Sequence, residues 1–109
     1  MNRADAEAFA RERLAFLVSL DRANDDWNAL AEAAAMALAG DRRGIAVFRR
    51  VFDQPGFAIS NSCHEVSYAA LGLALLGDRE SLPKLQQRRS MRFNGIDVSL
   101  TVAFVLLED

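Results

Sequence analysis

At 109 residues the chain is long enough to bury a core of its own without disulfides or a structural metal. Hydrophobic residues make up 51% and charged ones 26%, with two prolines; this excludes a disordered segment, and the wealth of alanine favours helix. The net charge is −2, with a single cysteine and a single histidine, which excludes an internal disulfide and a zinc site made of protein ligands.

The stretch Met1 to Glu7 carries acids early and lacks the apolar centre of a signal peptide. The longest apolar-looking run, Val98 to Leu107, is interrupted by Ser99 and Thr101 and is too short to span a bilayer. A soluble cytoplasmic protein without membrane contact is expected.

In chain order, the first helix is predicted over Arg3 to Leu20, with Phe9, Phe16, Leu17 and Leu20 as its buried stripe and Leu14 and Val18 widening it. The polar break Asp21 to Asp26 ends in Asp25, a residue suited to capping a second helix from Asp26 to Ala39. Trp27, Leu30, Ala31, Ala34 and Leu38 form its inward face, and Gly40 fits the left-handed position beyond its end. Asp41 caps a third helix, Arg42 to Phe52, with Ile45, Phe48, Val51 and Phe52 inward; it stops before Pro55. Ser62-Cys63-His64-Glu65 has capping-box form and opens a fourth helix to Leu76, whose inward face is Val66, Ala69, Ala70, Leu73 and Leu76. A fifth helix covers Glu80 to Met91, with Pro83 in its first turn, where a missing amide is tolerated. The tail Ile96 to Leu107 alternates like a strand, but a lone strand would leave its backbone groups unpaired, so a sixth helix is expected.

One design recurs. Ala34-Ala35-Met36-Ala37-Leu38-Ala39-Gly40-Asp41 leads into Arg42 to Phe48, and Leu71-Gly72-Leu73-Ala74-Leu75-Leu76-Gly77-Asp78 leads into Arg79 to Leu85, the two Gly-Asp pairs lying 37 residues apart. A helical hairpin of that period predicts an all-α, right-handed superhelix of five to six helices. The expected divisions are a capping helix over 1–26, a first repeat over 27–56, a second over 57–92 and a partial third over 93–109.

Ala70 to Leu85, with its Ala/Leu-rich helix, Gly-Asp corner and Leu82-Pro83-Lys84-Leu85, resembles the HEAT-like repeat of the phycobilin-lyase type. The resemblance covers residues 64–89 well and 27–52 fairly, with Ala46 in place of the proline, and 96–109 more weakly. It implies a solenoid used as an adaptor, although bilin lyases, deoxyhypusine hydroxylases and alkyl-purine DNA glycosylases are enzymes built this way. His64-Glu65-Val66-Ser67-Tyr68 looks like one of the iron-binding His-Glu pairs of deoxyhypusine hydroxylases. That chemistry needs several such pairs, and this chain has one histidine. Glu65 then reads as a helix-capping acid, with His64 and Glu65 kept as a partial metal site in the second reading, an accessory subunit of a lyase- or hydroxylase-like enzyme.

Charge is unevenly placed. Residues 42–92 carry nine bases against four acids, between acidic ends. Arg42, Arg43, Arg49 and Arg50 fall on one second helix, and Lys84, Arg88 and Arg89 on the next. Stacked in a solenoid, these helices would merge their polar faces into a basic surface for an acidic protein partner. The leading expectation is therefore a non-enzymatic interaction module without a cofactor. A nucleic-acid backbone binder is the third reading; the net negative charge and the absence of aromatics among the arginines argue against it. The apolar helix Val98 to Leu107 needs a cover, which a homodimer through it would supply.

Overall fold

The computed structural model describes residues 1–19, 25–53, 63–89 and 97–108, with the backbone alone for residues 25–27, 63–64, 88–89 and 97. The described residues are all-helical: α1 (Arg3–Ser19), α2 (Asp25–Leu38), α3 (Ile45–Asp53), α4 (Cys63–Leu75), α5 (Leu82–Arg89) and α6 (Asp97–Leu107), with 3-10 turns at Arg42–Gly44 and Arg79–Ser81 leading into α3 and α5.

Local chemistry sets the helix ends. Asn2 begins α1, its side-chain oxygen accepting the Asp5 amide at 2.8 Å. At the end of α2, Gly40 turns to φ +78°, the Gly40 amide donates to Ala37 O and the Asp41 amide to Met36 O. At the end of α4, Gly77 takes φ +71°, its amide donates to Ala74 O and the Asp78 amide to Leu73 O. Both corners thus close in the same way, with a left-handed glycine satisfying carbonyls that the helix leaves open. Each is followed by a 3-10 turn and then a second helix, and every one of these features lies 37 residues from its counterpart. The predicted third helix accordingly begins in 3-10 geometry, with Asp41 accepting the Arg43 amide as expected of a cap.

α2, α4 and α6 form a row with α4 in the middle. A hydrogen bond between the hydroxyls of Ser67 and Ser99 joins the second turn of α4 to the first turn of α6. Arg42, just beyond α2, donates to Leu76 O at the end of α4. The three helices therefore run in the same direction. α3 packs against α2 and α4, and α5 against α6. Where α3 crosses α4, Gly72 makes room for Phe48: a Cβ there would collide with the fully buried ring.

α1 lies against all three helices of the row. Its buried residues are Ala6, Ala10, Leu14 and Leu17, whereas Phe16 is 49% and Val18 37% exposed and Phe9 is half-buried. The predicted stripe is thus rotated, and Leu20 lies outside the described residues. Alanines let α1 approach three backbones at once, a benefit that hydropathy spacing does not register. With α1 on the row and α3 also against it, every residue of α4 from Val66 to Ala74 is buried. That explains why α4 is apolar all round rather than striped.

α6 is a helix, and Leu100, Val102, Ala103, Phe104, Leu106 and Leu107 are buried within the one chain. The cover expected of a homodimer through Val98–Leu107 is supplied within the chain by α1, α4 and α5. Val98, 55% exposed, is the large apolar residue of α6 left facing out.

Candidate interaction surface

The arginines and lysine predicted to form a basic face are mostly committed to partners inside the molecule. Arg43 is exposed and forks onto Asp41, with Nε donating at 2.8 Å and one Nη at 2.6 Å to the same carboxylate oxygen. This guanidinium holds the Asp41 carboxyl below its usual range. Arg42 is exposed, yet its guanidinium caps the carbonyl of Leu76 in a part-buried hydrogen bond. Lys84 pairs with Asp53, joining α5 to α3. Arg50 is exposed and forms no ion pair with any described residue. The side chains of Arg88 and Arg89 lie outside the described residues, as does that of His64.

Arg49 has the most structural position of the set. Its guanidinium grips Asp78 with both arms, at 2.9 and 2.6 Å, and also reaches Glu80 at 3.1 Å. Asp78 is 2% exposed and takes a further hydrogen bond from the Ser81 hydroxyl at 2.6 Å. The Arg49 hydrogen bonds hold the Asp78 carboxyl below its ordinary pKa, against the opposing effect of burial, with help from Ser81 and the nearby charge of Arg42. This is a clamp from a second helix to the corner after the following first helix. Gln86, which stands 37 residues after Arg49, donates to Glu108 just beyond α6 at 3.4 Å, at an exposed position.

No family model, no curated protein and no solved structure matches the chain.

Arginines also seal the helix ends that the Ala/Leu-rich sequence leaves open. α2, α4 and α6 have no basic residue in their last turns. Arg11 donates to Leu38 O at 3.2 Å, Arg42 to Leu76 O, and Arg3 to Leu106 O at 2.9 Å. Each brings positive charge to the negative end of a helix dipole. Arg13 rests over the rings of Phe16 and Tyr68, 5.5 and 5.6 Å from their centres. Tyr68 is buried, with this cation against its ring.

The acids Asp41, Asp53, Asp78 and Glu80 are the functional neighbours that sequence reasoning missed. Asp41 and Asp78 were legible as corner residues, but their pairing with arginines was not. Asp78 meets Arg49 across 29 residues, and only the packing of α3 on α4 brings them together. Among the described residues no three His, Cys, Asp or Glu side chains converge on a common point. No helix of the described residues is long and apolar enough to cross a membrane.

Proposed function

We propose that the chain is a HEAT-like interaction module that binds an acidic segment of a partner protein along its second helices, α3 and α5. The observation that carries this reading is the Lys84–Asp53 pair, which ties the two second helices together one turn beyond Arg50. That pair supports reading Lys84 and Arg50 as parts of one surface, with exposed Arg43 in the 3-10 turn before α3. The matching corners 37 residues apart and the parallel row of first helices support the solenoid reading of the architecture. Exposed ion pairs such as Arg43–Asp41 and Lys84–Asp53 contribute little to stability. An incoming carboxylate can therefore replace Asp41 or Asp53 at small cost, so the face works by exchanging one acid for another.

The test is fluorescence anisotropy with a fluorescein-labelled polyglutamate peptide. Binding is expected to weaken steeply with added salt, as interactions between exposed charges do. Arg50→Glu combined with Arg43→Ala should weaken it by up to about tenfold, since exposed charge pairs are worth up to about 1 kcal/mol each and about 1.4 kcal/mol is tenfold. Arg49 is left intact in that variant, because its removal strands Asp78. Unchanged affinity in a variant with a native circular-dichroism spectrum refutes the basic-face reading.

A further inference from the structure

Two of the described arginines are half-buried, Arg49 and Arg13. Arg49 meets a buried carboxylate with both arms. Arg13 has no such counterpart. Among the described residues it makes no hydrogen bond and no ion pair, and its guanidinium lies over two rings, 5.5 Å from the centre of Phe16 and 5.6 Å from that of Tyr68. A guanidinium stacked in this way uses its flat face, and its N–H donors remain at the edge. Partial burial takes water from a charge that no described acid neutralises, which favours an anion from outside.

The residues beside Arg13 are aromatic. Phe9, Arg13 and Phe16 follow one another at i, i+4 and i+7, which sets them on one stripe of α1. Phe9 is half-buried against the core, whereas Phe16 is 49% exposed. An exposed phenylalanine alone carries no meaning. Here the ring lies under a cation without an anion among the described residues, and aromatic side chains with arginine are the enriched composition of protein–protein contacts. We propose that this flank of α1 is a docking site for a segment of a partner protein that carries a carboxylate next to a large apolar side chain. The carboxylate accepts hydrogen bonds from the edge of the Arg13 guanidinium, and the apolar side chain covers Phe16. Charge complementarity selects the acid, and the exposed ring selects its neighbour. The site lies on α1 and does not depend on the basic face of α3 and α5.

The test is an NMR titration of the isotope-labelled full chain with a glycine–serine heptapeptide that carries one glutamate–phenylalanine pair. The peptide is expected to shift the Arg13 Nε–H signal and the amides of Arg13 and Phe16 in a saturable way. Replacing its glutamate by glutamine, or Arg13→Gln in the chain, should weaken binding by about fivefold, the upper end for an exposed ion pair. The two changes together should weaken it no further than either alone, because each removes the same pair. Phe16→Ala should weaken binding of this peptide but not of one with alanine in place of its phenylalanine. Arg50→Glu with Arg43→Ala should leave all of these affinities unchanged. Absence of saturable shifts at Arg13, or losses that simply add in the double change, overturns the site. The same shifts appearing on concentrating the chain without peptide assign the flank to a second copy and overturn the foreign partner.

Discussion

Asp78 shows how one residue can hold α3 against the corner that follows α4. Its carboxylate is buried at a corner, gripped by Arg49 from α3 and steadied by Ser81. Arg49→Ala would leave that carboxylate without its cation. The loss falls on Asp78, whose carboxylate stays buried, and is expected to lower the urea midpoint at neutral pH, tempered because water reaches the 40%-exposed guanidinium side. The pH dependence has a definite sign. The folded pKa of Asp78 lies below the ordinary 3.8, so its stabilisation is complete above the unfolded value and drains away as pH falls through the folded one. In that acid range the unfolded chain binds more protons, and stability rises with pH. Asp78→Asn should flatten the stability profile below about pH 4; a profile parallel to that of the parent chain counts against the clamp.

The element scale is governed by close approach and by corners. Gly72 admits the Phe48 ring, and an alanine there has no room unless α3 moves away. Gly72→Ala is expected to destabilise by about 1–3 kcal/mol, the range for overpacking, and Phe48→Leu in the same chain should recover part of the loss. Gly40→Ala meets no neighbour but must adopt φ +78°, which costs about 1–2 kcal/mol through backbone strain alone. Thermal unfolding of the three variants separates the mechanisms: only the Gly72 loss should respond to a smaller residue at 48. The corners were legible in the sequence because a left-handed turn demands glycine and an open helix start favours aspartate. The inward face of α1 was not, since Ala6 and Ala10 carry no strong hydropathy signal and Phe16 carries a misleading one.

At the scale of the whole molecule, α1 lies against α2, α4 and α6 together. The chain measures 36 × 31 × 23 Å with a radius of gyration of 12.5 Å. That is close to the roughly 13 Å expected of a globular chain of this length. Because α1, α4 and α5 already cover α6, the chain is expected to sediment as a 12.0 kDa monomer at high micromolar concentration. A dimer that persists after Val98→Asp would show that copies meet elsewhere; one abolished by it would restore α6 as an interface.

Local rules in the sequence determined the helices, the two Gly-Asp corners, the place of Pro83 and the unequal charge, because caps, left-handed turns and alanine content act over a few residues. The exposed bases of the candidate surface could be named in the same way, residue by residue. Tertiary structure alone decided which of them remain available, since Arg49 is spent on Asp78 and Arg42 on Leu76 O. It also decided that α1 lies across the row rather than at its end. Contacts such as Arg3 with Leu106, 103 residues apart, depend on how whole helices pack, and no periodicity in a single segment encodes them.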